Sequence, residues 1–259
     1  MHKRIGGLPA VRVNYENNEK QMPSRPKLWH LPTWGAAQEP QRMGVLRDIV
    51  RQYGRDPRVH DLASEIIRRS GVPPRDYKGQ AAVLLKWIQN PQNVYYINEP
   101  GERLQSPTYT LRVKRGDCDD MAILLAAMLE SVAIEWRFVL SGRDGRGKLV
   151  RWIEGQPRIP GGRWTHIYLA ALIPTGQGRK QLVFMEPTLP KPLGWDVIQA
   201  SRAGGANILP ELAGADDDES FDWRKELVRS LHPGRIAIAA LTGTMIALLS
   251  TEIRSVIKK

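Results

Sequence analysis

The sequence predicts an α+β chain in which helices come first and an antiparallel sheet second. Between residues 43 and 132 apolar side chains recur at helical spacing, and from Glu135 onward they alternate with polar ones at the period of a strand. Turn residues then punctuate the second half, at Asp144-Gly145-Arg146-Gly147 and Thr175-Gly176-Gln177-Gly178, as hairpins require.

Residues 1–42 are rich in Pro, Arg and Asn and have no period. Pro23, Pro26, Pro32 and Pro40 argue against a regular helix, so an extended basic arm is expected, anchored by Leu28, Trp29, Leu31 and Trp34. Such an arm is ordered only where it lies on its own domain or on a neighbour. A domain over 43–198 follows. Its first helices are expected at 43–54, at 57–70 (Val59, Leu62, Ile66 and Ile67 near helical spacing, Gly71-Val72-Pro73-Pro74 ending it) and at 78–90, closed by Asn90-Pro91. Val94-Tyr95-Tyr96-Ile97 starts an extended stretch that runs to Gln105-Ser106-Pro107 and Leu111. A helix from Met121 to about Val132 is apolar nearly all round and should be the central buried one. Strands are expected at 135–140, 149–153, 164–173 and 181–186. Residues 199–221, with Gly204-Gly205 and the acidic run 216–219, read as a linker; 222–259 read as a helical segment interrupted at Pro233-Gly234. No internal repeat is visible.

The chain is 42% hydrophobic, enough for a packed core, and carries a formal charge of +11. That charge favours an acidic partner: nucleic acid, a membrane surface or an acidic protein. The basic residues are scattered, with mild concentrations before residue 45 and between Arg143 and Arg163, which gives nucleic-acid binding weak support. One cysteine excludes an intrachain disulfide scaffold, and one cysteine with five scattered histidines gives no metal-ligand spacing. No cofactor is indicated. Residues 1–23 lack the apolar run of a secretory signal. The apolar run 236–250 (IAIAALTGTMIALLS) is shorter than a membrane span; it either packs as a terminal helix or inserts into a membrane or a partner.

Chemistry concentrates at Cys118. Asp117 is placed as an N-cap and Asp120 as its capping-box partner, which makes Cys118 the first residue of the central helix. The helix dipole there favours a thiolate by only ~1 kcal/mol, and three aspartates oppose it. A reactive sulfur therefore needs a histidine. Of five histidines, His166 alone lies on a well-formed strand of the domain. Hairpin arithmetic about Gly176 sets Glu186 opposite His166, and a turn centred one residue either way leaves them diagonal. Glu186 would orient the imidazole as the third member of a Cys–His–acid triad.

These residues carry a resemblance. Gly116-Asp-Cys-Asp-Asp-Met-Ala-Ile-Leu-Leu-Ala-Ala-Met-Leu129, then Thr165-His-Ile-Tyr-Leu169, then Met185-Glu-Pro-Thr188, is similar to the transglutaminase-like superfamily, and more closely to its bacterial and bacteriophage branch, over roughly residues 45–195. The resemblance implies a papain-like α+β core, with Cys118 as nucleophile and His166 and an acid on adjacent strands. The family's acid is usually aspartate, and Glu186 stands in its place. Gln105, upstream of the nucleophile, is a candidate oxyanion donor. Members of the family hydrolyse amides, transfer acyl groups to amines, or have lost activity. Two functions are expected: a cysteine hydrolase or acyltransferase acting on a protein or peptide, or a structural component of a phage virion or tail that reuses the fold. In the second case the arm and the terminal segment would dock other assembly proteins. A virion or the bacterial cytoplasm is the expected location.

Overall fold

Helix α5, Cys118–Ser131, is the axis of the fold, and eleven consecutive residues from Asp119 to Leu129 are buried along it. A run apolar on every side has no solvent face to offer, so other elements must enclose it. Helices α1 (Glu39–Tyr53), α2 (Pro57–Ser70), α3 (Tyr77–Ile88) and α4 (Pro107–Val113) surround α5 on one side. A four-stranded antiparallel sheet covers the other, in the order β6 (Leu149–Ile153), β5 (Trp136–Arg143), β7 (Arg163–Gly176) and β8 (Arg179–Met185). Phe138, Leu140, Ile167, Leu169 and Ala171 face the helices in the main core. On the far face Val139, Tyr168, Ala170 and Phe184 pack under the short helix α6 (Val197–Arg202). The α+β expectation holds.

This computed structural model describes residues 28–30, 39–98 and 103–202. Contacts divide the chain into a unit Met1–Gly214 and a unit Ala215–Lys259, and the second lies outside the described residues. So do most of the expected arm and linker and all of the 222–259 segment with its apolar run. Of the arm, β1 (Leu28–His30) pairs antiparallel with β3 (Arg103–Gln105), so this piece lies on its own domain. Among the described residues no helix is long and apolar enough to cross a membrane.

Three local expectations need correction. The first helix begins at Glu39, not 43, because Pro40 sits in its first turn, where the missing N–H has no intrahelical partner to lose. The stretch expected to be extended through Leu111 contains α4. Ser106 caps it by accepting the Tyr109 amide at 3.3 Å, Pro107 opens it, and Lys114 closes it in the left-handed conformation (φ 56°). Seven residues are too few to reveal a helical period. The β7–β8 hairpin is centred on Gln177 rather than Gly176, since Leu169 faces Met185 and Ile173 faces Gln181.

Candidate active site

The sequence before α5 builds its start. Asp117 accepts the amides of Asp119 (3.0 Å) and Asp120 (3.2 Å), and Asp120 accepts the Asp117 amide at 3.4 Å, completing the expected capping box. The other Asp120 oxygen accepts the Gln105 amide at 2.7 Å and ties β3 to the helix. Strand β4 (Arg115–Gly116) runs parallel to β2 (Tyr95–Tyr96) and delivers the chain to the cap. Gly116 is required there: a Cβ would lie 2.6 Å from that of Asp120.

Cys118, half-buried, shares a small cleft with Asp119, Leu140, Trp164, Thr165, His166 and Ile167. The strand pairing is irregular beside His166. Ser141 faces His166 and Gly142 faces Trp164, so Thr165 is an extra residue bulged out of β7. Gly142 allows this close approach; a Cβ there would come within 1.9 Å of the Arg163 carbonyl oxygen.

His166 Nε2 lies 2.7 Å from Glu186 Oε2, with both side chains buried. An ionised carboxylate only accepts, so Nε2 carries the hydrogen and Nδ1 is the nitrogen left for chemistry. Nδ1 is buried and has no hydrogen-bond partner, and the same holds for the neighbouring Trp164 Nε1 and Ser141 Oγ. The remaining Glu186 oxygen accepts the amide (2.9 Å) and hydroxyl (2.6 Å) of Thr188. Gln89, capping α3, donates to the carbonyls of Glu186 (2.8 Å) and Lys191 (2.9 Å), which holds the chain carrying that acid. Behind the imidazole, Tyr168 stacks at 5.8 Å and donates to Asp196 at 2.9 Å.

The thiol is not hydrogen-bonded to His166; its sulfur lies 3.9 Å from Asp119 Oδ1. Burial pushes the Cys118 thiol well above its ordinary range, Asp119 and then Asp117 push the same way, and the Ile167 amide aimed at the sulfur pulls against them. Asp119 is itself buried against Arg42 at 3.1 Å. Together these favour the neutral thiol at rest, against the pull of the helix dipole.

Residues 61–177 match the family model described as the transglutaminase-like superfamily. This stretch belongs to the transglutaminase-like superfamily. Two solved structures are similar to the chain: a protein from Cytophaga hutchinsonii provisionally named a cysteine protease (18% identity, 51% of this chain, TM-score 0.33) and one from Parabacteroides distasonis provisionally named a protease (14%, 58%, 0.39). The chain spans only 37% and 26% of those two proteins. No curated protein matches it.

Three of the four singled-out residues meet: Cys118 and His166, in the matched stretch, line one cleft, and Glu186, just beyond it, holds the imidazole. Glu186, one residue past β8, is diagonal to His166 by the observed register. Gln105 is not among the residues lining that cleft. It is buried beneath the helix start, where its Oε1 accepts the Thr110 hydroxyl at 3.3 Å. The sequence pattern did not single out Arg42, Trp164, Thr188 or Gln89. Thr188 lay in a segment that carried the resemblance, Gln89 next to the Asn90-Pro91 that closes its helix, and Trp164 two residues before His166. Nothing local marked Arg42. Among the described residues no group of three or more His, Cys, Asp or Glu side chains could hold a metal ion.

Proposed function

We propose that the transglutaminase-like domain is a cysteine hydrolase or acyltransferase acting on amide bonds, with Cys118 as nucleophile, His166 as acid–base and Glu186 as its orienting partner. The observation that carries this reading is the Glu186–His166 bond at 2.7 Å, which leaves Nδ1 unpartnered beside the cleft that Cys118 lines. Nδ1 takes the thiol proton as sulfur attacks the amide carbon. The C–N bond breaks as His166 returns that proton to the leaving nitrogen, giving a thioester and a free amine. Water or an acceptor amine, deprotonated by the same Nδ1, then attacks the thioester and restores the thiol. Proton transfer in step with attack suits a thiol held neutral at rest. Resting catalytic hydrogen bonds are often loose and tighten with substrate. The oxyanion would meet the Cys118 backbone N–H, since the Asp117 side chain takes the two following amides and not this one, and the Trp164 indole N–H.

A second reading, a phage virion or tail component that reuses the fold without catalysis, is favoured by that same neutral thiol turned toward Asp119. One experiment separates the two. A thiol-reactive amide mimic should label wild type about 100-fold faster than His166→Ala, followed by intact mass at neutral pH. Equal rates would reject the activated thiol and leave the assembly reading standing.

A further inference from the structure

We infer that the amide this site takes is flanked by carboxylates, in an acidic peptide or protein segment. The chemistry rests on the catalytic reading above; the choice of substrate rests on the surface around the cleft.

Arg115 lies three residues before Cys118 and Arg163 three before His166. A strand rises about 3.3 Å per residue, so both Cα atoms lie within about 10 Å of a reacting residue, close to a Debye length in physiological salt. Lys114 adjoins the first. Arg143 stands directly across the β5–β7 ladder from the second. All four are exposed, and among the described residues none is in an ion pair. Like charges facing across a ladder destabilise a sheet, yet among the described residues no acid relieves Arg143 and Arg163. Elsewhere on the same sheet acids are supplied: Arg137 and Lys180 share Glu135, and Arg151 holds Asp196.

The acids closest in sequence to the cleft are already committed. Asp117 and Asp120 cap α5, Asp119 holds Arg42, Glu186 holds His166 and Thr188, and Asp144 accepts the Arg146 and Lys148 amides in its turn. These acids keep their charge but are buried or half-buried, so the fully exposed charges among these residues are the four cations. Single-stranded nucleic acid would want successive aromatic platforms, and among the described residues Tyr95 is the one exposed large aromatic. Carboxylates beside a carboxamide fit both the charge and the neighbouring thiol.

The full chain carrying Cys118→Ala tests this without requiring turnover. Fluorescent peptides with one glutamine, flanked by glutamates, by serines or by lysines, are titrated by anisotropy. The glutamate peptide should bind at least about tenfold more tightly than the serine peptide in about 50 mM salt, and the advantage should shrink in about 300 mM. Adding Arg143→Glu with Arg163→Glu should abolish the preference, as should Lys114→Glu with Arg115→Glu in case the first pair impairs folding. Equal binding of the three peptides overturns the inference. So does a single-stranded oligonucleotide that binds more tightly than the glutamate peptide and displaces it. Wild-type turnover of the same peptides is read separately: selective binding without turnover rejects the proposed chemistry but keeps the surface.

Discussion

Glu186 has one methylene more than aspartate, and the hairpin makes use of it. With the turn centred on Gln177, residue 186 is diagonal to His166, and the longer arm closes the gap to 2.7 Å. Its second oxygen is fixed by Thr188, so the carboxylate cannot rotate away without losing two bonds. Glu186→Gln should lower kcat on a glutamine peptide by about 100-fold with KM little changed, because the imidazolium loses its counter-charge. Thr188→Val, which keeps the amide bond, should cost only several-fold in kcat and about 1 kcal/mol in stability by denaturant titration. A kcat loss from Thr188→Val as large as that from Glu186→Gln would contradict this ranking. At this scale the Cys118 cap was legible because capping obeys a local rule. The Arg42–Asp119 pair was not, because it joins residues 77 apart that no local pattern relates.

Strand β7 is where element geometry becomes site geometry. His166 keeps the face of Tyr168, on which it stacks; the bulge at Thr165 turns Trp164 to the Ile167 face, so that Trp164 and His166 both line the cleft. Gly142→Ala would force a Cβ against the Arg163 carbonyl and straighten or tear this region. The substitution should cost about 1–3 kcal/mol in a denaturant titration. It should also slow thiol labelling toward the His166→Ala rate while the α5 helix persists by circular dichroism. Wild-type labelling in Gly142→Ala would mean the bulge does not shape the cleft that Cys118 and His166 line. The antiparallel strands were readable from their alternation and the long helices from their period. The bulge was not, since one extra residue leaves the polar–apolar pattern of β7 almost unchanged, and α4 was too short to show a period.

For the whole molecule, pH ties the site to stability. Burial raises Cys118 and Tyr168 well above their ordinary 9.0 and 10.0, and Tyr96, beside the same acids, is raised above 10.0 as well. Unfolded, these groups lose protons at their ordinary values; folded, they keep them. Stability from this source is full below about pH 9 and declines as pH climbs toward the folded values. The melting temperature should therefore fall between about pH 9 and pH 11, and Tyr168→Phe should make the decline shallower. A flat profile across that range would show that burial does not restrain these groups. The order of helices and then strands was visible because each class has its own period. The joining of α1 to α5 through Arg42 depends on tertiary packing alone.

Cys118 is the only sulfhydryl among these 259 residues. If peroxide converts it to a sulfenic acid, no second thiol within the chain can condense with it, so an intramolecular disulfide cannot shelter it from irreversible sulfinic and sulfonic states. A half-enclosed sulfur whose thiol is pushed toward the protonated form then has a second use: it limits the time spent in the form oxidants attack, and any repair has to come from a reductant outside the chain.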